Sequence, residues 1–239
     1  MEEISSTSFA AGSLCSENRV HNIAKGALLI DGSIVPAGQT FSCNDSLGVR
    51  SRENGWLPAT AFANGGAETR QEYGGGICQI STTLYNAVLR SDLEIIARSG
   101  HTRKVRYIGG GLDAALSGKD KDFVFRNNTD SDIYVFMWVD ESQKTLCCEI
   151  YGCPFPSDFD RVDTVSELTS STPPSEPQFV LDSALEPGEC VLKRKAIAGS
   201  TYQSYRVYSL NGEIIRRVPI DKTEYPMHPA LYAVGQGKS

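Results

Sequence analysis

The sequence predicts an α+β fold: a mixed body with one prominent helix starting at Cys78 and packed on a β-sheet, followed by a small all-β module. Apolar residues recur at three- and four-residue spacing from about residue 76 to residue 90, which indicates an amphipathic helix. Elsewhere, short runs rich in β-branched and aromatic residues alternate with Gly, Pro, Asn and Asp, a pattern typical of strands and turns. The chain of 239 residues is long enough for a large hydrophobic core.

Strands are predicted on both sides of this helix. Before it, the runs at 27–35 and 39–43 are separated by a Pro-Ala-Gly turn and predict two strands, with few helix candidates. After it, five further runs predict strands, at residues 94–100, 104–108, 122–127, 132–139 and 146–152.

A change in composition divides the chain. Residues 152–178 are rich in Pro, Ser, Thr and Asp, which predicts a linker at 156–177 between a body at 1–155 and a tail at 178–239. In the tail, Asn211-Gly212 lies between two strand-like runs and predicts a β-hairpin with a type I′ turn. Because few contacts are expected across a linker, we expect a body truncated at about residue 165 to stay folded and reactive.

Charge and composition exclude several classes of protein. Lys and Arg number 23 and Asp and Glu 29, giving a formal net charge of −6 without a basic block, so a dedicated nucleic-acid binder is not expected. No apolar run is long enough to span a membrane. The N-terminus lacks the features of a signal peptide, so we expect either a cytosolic chain or one without its targeting segment or anchor. The seven Cys cannot all pair with one another.

The segment that indicates chemistry is Gly74-Gly75-Gly76-Ile77-Cys78-Gln79. The glycines allow a sharp turn and place Cys78 in the first turn of the predicted helix, where free N–H groups and the helix dipole favour an anion. A thiolate is such an anion, so we expect a lowered pKa and a nucleophilic Cys78. The same amides, with the Gln79 region, are candidates for stabilising an oxyanion.

A thiol nucleophile commonly works with a base, and the chain has three His. We select His101, expected at the start of a strand that returns beside the helix, with Asp113 as the carboxylate that orients its imidazole. Cys, His and Asp in this order suit acyl transfer. No metal and no cofactor are expected. Replacing Asp113 is expected to be milder than replacing His101, since a carbonyl or water can partly orient an imidazole.

These segments resemble the VanW family of bacterial cell-envelope proteins. The resemblance covers about residues 18–152 and is carried by GGGICQISTTLYNA at 74–87, by the PAGQTFSCN segment at 36–44 with Leu47-Gly48, and by Arg98-x-x-His101. It continues in a run whose matching residues are Val105, Tyr107, Gly111, Asp113 and Ala114. Cys43 departs from the family, which tends to have an aromatic residue there. The tail is similar to G5 modules through Leu185-x-Pro-Gly-Glu, Tyr205-Arg-Val, Asn211-Gly212 and Val234-Gly235.

The resemblance implies an extracellular role at the cell envelope, association with glycopeptide (vancomycin) resistance, and L,D-transpeptidase activity that forms 3-3 peptidoglycan cross-links through a cysteine acyl-enzyme. The implied partners are peptidoglycan stem peptides and wall glycans. Cys78, His101 and Asp113 would be catalytic. The residues implied to contact the substrate or its oxyanion are Gly75, Gly76, Gln79, Ser81 and Tyr107.

Two other functions fit the same residues. A cysteine peptidase or amidase of peptidoglycan would use the same nucleophile and base with water as the acceptor. A non-catalytic wall-binding protein would use the glycine-rich segment only to begin a helix. The reactivity of Cys78 distinguishes the wall-binding protein from the transpeptidase and the hydrolase. A structural thiol has an ordinary pKa of about 8.5, whereas a catalytic thiol is expected to have a lower one.

Overall fold

The structure, a computed structural model, describes residues 2–8, 16–63, 68–118 and 120–236. Strands predominate over helices, in agreement with an α+β fold. The helices are α1 (Glu17–Ile30), α2 (Cys43–Leu47) and α3 (Ile77–Arg90). The strands are β1 (Glu2–Ser8), β2 (Ser33–Val35), β3 (Thr40–Ser42), β4 (Pro58–Ala63), β5 (Glu68–Tyr73), β6 (Glu94–Ala97), β7 (Val124–Arg126), β8 (Ile133–Asp140), β9 (Thr145–Tyr151), β10 (Arg161–Thr172), β11 (Gln178–Leu181), β12 (Cys190–Arg194), β13 (Gly199–Leu210), β14 (Glu213–Tyr225) and β15 (Leu231–Val234).

The body is built on an antiparallel sheet in the order β1-β9-β8-β2. Side chains of β8 alternate between buried and exposed, as expected for a sheet with one face in the core. Helices α1 and α3 cover the buried face, and their apolar residues meet those of β8 and β9 in one continuous core. Strands β3, β7 and β6 form a second small sheet, and β4 and β5 a hairpin.

The predicted helix is present, but it is not the one prominent helix of the body. It begins at Ile77, one residue before Cys78, and α1 has the same length of 14 residues. The prediction of a strand over 27–35 is therefore wrong for residues 27–30, which close α1. Ser16 caps this helix, and Ile23, Ala27 and Ile30 share its buried face. Residues 27–30 are four consecutive apolar residues, and such a run resembles a strand when the helical periodicity of the residues before it is not considered.

In the tail, the predicted hairpin is confirmed. Strands β13 and β14 pair up to Leu210 and Glu213, and both intervening residues, Asn211 and Gly212, have positive φ, as a type I′ turn requires.

The segment 156–177 is not an unstructured linker, and this prediction is wrong. It contains β10, which pairs with β13. Most of its side chains are at least partly exposed, because the three-stranded sheet β10-β13-β14 is thin and buries little apolar area. A polar composition is therefore compatible with a strand at this place.

The sheet β10-β13-β14 packs on the body. The Arg206 guanidinium on β13 donates to the carbonyls of Leu89 and Leu93, at and just after the end of α3. The Tyr208 hydroxyl donates to Asp92 at 2.6 Å. These contacts join residues more than 100 positions apart, so the structure contradicts the expectation that few contacts connect body and tail.

Two further features concern the described part of the chain. No helix in it is long and apolar enough to cross a membrane. Six cysteines lie in it and all are free thiols: Cys43, Cys78, Cys147, Cys148, Cys153 and Cys190.

Candidate active site

The turn before α3 sets the position of Cys78. Gly76 is the N-cap residue with φ of 115°, a conformation that strains any residue with a side chain. A Cβ on Gly75 would lie 2.5 Å from the carbonyl oxygen of Ala59, so this turn needs glycine for close approach. Asn22, buried on α1, donates to the Gly75 carbonyl at 3.1 Å and anchors the turn. Cys78 consequently lies in the first turn of α3, as predicted.

The structure brings together Cys78, His101 and Asp113. The His101 Nδ1 atom lies 2.5 Å from Asp113 Oδ2, and the His101 backbone N–H donates to the same oxygen at 2.7 Å. The imidazole and the Cys78 side chain line the same cleft and shift each other's pKa. The backbone N–H of Leu116 donates to Cys78 Sγ at 3.3 Å.

His101 is therefore held by Asp113 rather than by a strand. Residues 101–108 form no strand, in contrast to the sequence-based expectation, and His101 lies in a loop. The two hydrogen bonds to one carboxylate oxygen fix both its backbone and its ring.

The three groups shift one another's pKa values. Burial alone would raise the pKa of the Cys78 thiol, but the hydrogen bond and positive charge of His101, the Leu116 N–H and the charge of Arg19 outweigh burial and lower it. Burial would lower the pKa of His101, but Asp113 and Cys78 raise it to about 9. Burial would raise the pKa of Asp113, but its bonds to His101 and Tyr225 lower it to about 2. The shifts favour a thiolate beside an imidazolium, with an ionised aspartate behind the imidazole.

Helix α3 holds the Asp113 segment through polar residues. Ser81 Oγ donates to the Ala114 carbonyl at 2.7 Å, and Thr82 Oγ1 accepts the Ala114 N–H at 3.0 Å. Asn86 donates to the Leu112 carbonyl at 2.8 Å. These side chains explain the run of polar residues in an otherwise apolar helix: they fix the register of residues 112–114 against α3.

Asp113 is fully buried, and residues of the tail help to surround it. Arg98 donates to Asp113 Oδ1 at 3.3 Å and to its carbonyl at 2.7 Å. Arg98 is held in turn by Asp221 and Thr223 on β14, each at 2.8 Å. The Tyr225 hydroxyl, also on β14, donates to Asp113 Oδ1 and accepts the Gly111 N–H at 2.8 Å. The Asp113 carboxylate therefore accepts hydrogen bonds from residues of both the body and the tail.

Three residues implied as substrate or oxyanion contacts have other roles. The N–H groups of Gly75 and Gln79 already donate to the carbonyls of Glu72 and Gly76, at 3.2 Å and 2.9 Å. The Gln79 side chain is buried and accepts from Arg19 at 3.3 Å. Ser81 is fully buried against Ala114 and cannot touch a substrate. Gln79 and Ser81 lie on a face of α3 that packs into the protein interior, whereas Gly75 lies in the turn before α3 and lines the cleft with its N–H already hydrogen-bonded.

Gly76, Cys78, His101 and Tyr107 line a single cleft of about 1450 Å³. The Tyr107 hydroxyl is hydrogen-bonded to Thr82, and burial together with the negative charge of Cys78 raises its pKa well above the ordinary value. It is therefore a neutral O–H beside the thiolate. Gly76 and Tyr107 thus lie where a substrate contact requires them, and their roles remain predictions.

Comparison with known proteins assigns the body to a family. A family model described as VanW like protein matches residues 18–151, more than half of the chain. The chain belongs to the VanW family. It is 41% identical over 119 residues to the protein YoaR of Bacillus subtilis (strain 168), a match covering 50% of this chain and 39% of that protein.

A second VanW-family relative is the Vancomycin B-type resistance protein VanW of Enterococcus faecalis (strain ATCC 700802 / V583). It is 30% identical over 132 residues, covering 53% of this chain and 47% of that protein. The chain thus spans less than half of the length of each of these two relatives.

Two solved G5 domains match about a third of the chain. The G5 domain of IgA1 protease covers 32% of it at 17% identity and a TM-score of 0.23, and HP0197-G5 covers 31% at 16% and 0.18. Scores this low support no argument, so the G5-like character of the tail rests on its sequence motifs.

Sequence reasoning gave no role to Arg19, Arg98 or Tyr225. A pairing of Arg98 with a carboxylate could have been predicted, since Arg98 is in the family motif with His101 and a buried arginine commonly pairs with a carboxylate. Arg19 lies on α1, which the sequence reading missed. Tyr225 is 112 residues from Asp113, and no local pattern connects them.

The lowered thiol pKa leads to a testable pH dependence. We expect alkylation of Cys78 by iodoacetamide to have its midpoint below the ordinary thiol value of about 8.5, because the imidazolium stabilises the thiolate. Since the pKa of His101 is about 9, this stabilisation persists through neutral pH and is lost as pH rises through that value. The measurement is the alkylation rate at Cys78 by peptide mass mapping from pH 5 to 10. A midpoint at or above the ordinary value would contradict the ion pair.

Proposed function

We propose that this protein is a cysteine acyltransferase of the L,D-transpeptidase type, acting on peptidoglycan stem peptides at the cell envelope. The observation that carries the proposal is that Cys78 and His101 line an open cleft with Asp113 buried behind the imidazole, and that the thiol pKa is lowered and the imidazole pKa raised. Membership of the VanW family, with a relative named for vancomycin resistance, supports a role in the cell wall.

In the first half of the reaction, the Cys78 thiolate attacks the carbonyl between the third residue and the terminal D-Ala of a donor stem. A carbon–sulfur bond forms, and the carbonyl oxygen takes up the negative charge. His101, protonated at neutral pH, gives its proton to the D-Ala amine as the carbon–nitrogen bond breaks. D-Ala leaves, and the donor remains attached to Cys78 as a thioester.

In the second half, the side-chain amine of another stem attacks the thioester. His101, now neutral, accepts a proton from that amine, and the carbon–sulfur bond breaks to restore the thiolate. Asp113 orients the ring throughout and stabilises the imidazolium each time it forms. The product is a 3-3 cross-link.

The oxyanion needs donors near the helix start. The N–H groups of Gly75 and Gln79 are already hydrogen-bonded. Two other groups on the cleft are candidate donors: the first-turn N–H of Cys78, for which an α-helix supplies no internal acceptor, and the Tyr107 hydroxyl. The positive end of the α3 dipole favours charge at the same place.

Product analysis tests the proposal and separates it from the two alternatives. Wild type and Cys78→Ala are incubated with disaccharide tetrapeptides, and the products are identified by tandem mass spectrometry. We expect 3-3 linked dimers with the wild type only. Disaccharide tripeptides without dimers would indicate a hydrolase, and unchanged substrate with both proteins would indicate a non-catalytic wall-binding protein.

The base is tested by His101→Ala. We expect acyl transfer to slow by about a hundredfold or more, the usual scale of general acid–base catalysis, while donor binding changes little. The measurements are kcat and KM for dimer formation, with His21→Ala as the matched control, because His21 is exposed on α1, contacts the Gly55 carbonyl and does not line the cleft. Equal kcat values for His101→Ala and wild type would remove His101 from the mechanism.

From the structure we instead expect Asp113→Asn to be no milder than His101→Ala. Asp113 is fully buried with His101, Arg98 and Tyr225 around it, and no water or carbonyl replaces a charge at such a place. Removing one partner of a buried ion pair costs about 3–5 kcal/mol, so Asp113→Asn is expected to lower stability as well as activity.

A further inference from the structure

The candidate cleft is basic although the chain is acidic. Among the residues that the structure describes, seven Lys or Arg and two acidic side chains line it, whereas the chain has a formal charge of −6. One basic residue, Arg70, is paired with Glu72. The other six are Arg19, Arg50, Arg103, Lys104, Arg106 and Lys121.

Several of these charges meet neutral oxygen atoms rather than carboxylates. Arg50 donates to the Gly48 carbonyl at 3.1 Å, and Lys121 to the Gly100 carbonyl at 3.3 Å. Lys104 donates to the Tyr202 hydroxyl at 3.1 Å, and Arg19 to the Gln79 side chain. Such bonds orient a cation without neutralising it, so the positive charge remains available to a ligand.

The catalytic pair does not cancel this field. A thiolate and an imidazolium together carry no net charge, and Asp113 is buried behind them with Arg98. Basic residues in a cleft with low-dielectric walls concentrate their potential in it and attract anionic ligands. Arg103, Lys104 and Arg106 follow His101 within five residues and line the same cleft as Cys78 and His101.

We propose that the cleft selects an anionic acyl donor: a peptide with free carboxylates flanking the bond that Cys78 attacks, read mainly by Lys104 and Arg106. This inference rests on the proposed function and specifies its substrate class. It follows that a donor whose flanking carboxylates are amidated is a poorer substrate than the free acid.

The first experiment needs no turnover. Iodoacetate and iodoacetamide both alkylate a thiolate with loss of iodide, and they differ by one carboxylate. The ratio of their rates at Cys78, read by peptide mass mapping, is compared with the ratio for the neutral thiol N-acetylcysteine amide. We expect the ratio in the protein to be roughly tenfold higher at low salt and to fall as salt is added.

Two double variants identify the source of this preference. In the double variant Lys104→Gln with Arg106→Gln, we expect the ratio of the iodoacetate rate to the iodoacetamide rate to fall several-fold, toward the ratio for N-acetylcysteine amide. The control, Lys144→Gln with Lys195→Gln, removes the same charge from exposed positions that do not line the cleft and is expected to keep the wild-type ratio. A wild-type ratio equal to the reference, or an equal fall in both variants, would overturn the inference.

The second experiment compares kcat/KM for a free-acid tetrapeptide donor and for the same donor with its carboxylates amidated. We expect a loss of about tenfold on amidation in wild type and a smaller loss in the Lys104/Arg106 variant. Equal turnover of the two donors would overturn the substrate class while leaving the proposed function intact. A high iodoacetate ratio without turnover of either donor would contradict the proposed function and still support an anion-selective cleft.

Discussion

Replacing Cys78 by alanine is expected to abolish both acyl-enzyme formation and transfer, by about 10⁴-fold or more, because the nucleophile is the one group that the rest of the site cannot replace. Cys78→Ser is expected to be nearly as inactive. The His101 and Leu116 contacts stabilise a thiolate, whereas a serine hydroxyl is far less acidic and stays protonated beside an imidazolium. The measurement is dimer formation, with thermal unfolding to show that the fold is retained.

The chain offers a matched control for this substitution. Cys190 is exposed on β12 and does not line the cleft, so Cys190→Ala is expected to retain full activity. Retained turnover in Cys78→Ala, or loss of turnover in Cys190→Ala, would remove Cys78 from its assigned role.

Deleting residues 161–239 is expected to abolish activity and thiol reactivity, the opposite of what the sequence led us to expect. The deletion removes Asp221, Thr223 and Tyr225, which hold Arg98 and Asp113 from the side opposite His101. It also exposes the end of α3 that Arg206 covers. The measurements are the unfolding midpoint and the iodoacetamide rate at Cys78 at pH 7.

Because the truncated chain is expected to be poorly folded, a point variant isolates the contribution of the tail. Tyr225→Phe removes the hydroxyl that donates to Asp113 and is expected to lower kcat roughly tenfold, the scale of one hydrogen bond to a charged group. Tyr151→Phe is the control, since its hydroxyl donates to Glu149 on β9 at 3.0 Å and Tyr151 does not line the cleft. A truncated body with a wild-type alkylation rate, or equal kcat values for the two tyrosine variants, would show that the tail does not support the site.

The parts of the site that the sequence predicts are those with a local signal. Three glycines before an amphipathic run define a helix start, which places Cys78, and the Asn211-Gly212 turn follows from the two positive φ values that it requires. His101 could be selected as the base because the chain has three His, and Asp113 was proposed as its partner from its position after the glycines at 109–111. The loop that carries His101 was not predictable, since Asp113 holds it from 12 residues away.

The parts that the sequence does not predict depend on contacts between distant residues. Residues 161–172 are polar enough to suggest a linker, and only pairing with β13 makes them a strand. Ser81 stands in the most informative motif, and its polarity suggests a substrate contact until its hydroxyl is seen to bind the Ala114 carbonyl. The same motif therefore contains the proposed nucleophile, Cys78, which lines the cleft, and polar residues that hold the aspartate segment in place.

The most direct test of the account is the mass of the intact protein after incubation with a disaccharide tetrapeptide donor and no acceptor. We expect wild type to gain the mass of the donor less D-Ala, with the adduct mapped to Cys78, and to lose it when an acceptor stem with a free side-chain amine is added. Cys78→Ala is expected to gain nothing. Release of D-Ala or formation of dimers with Cys78 unmodified throughout, or with Cys78→Ala as active as wild type, would contradict the account.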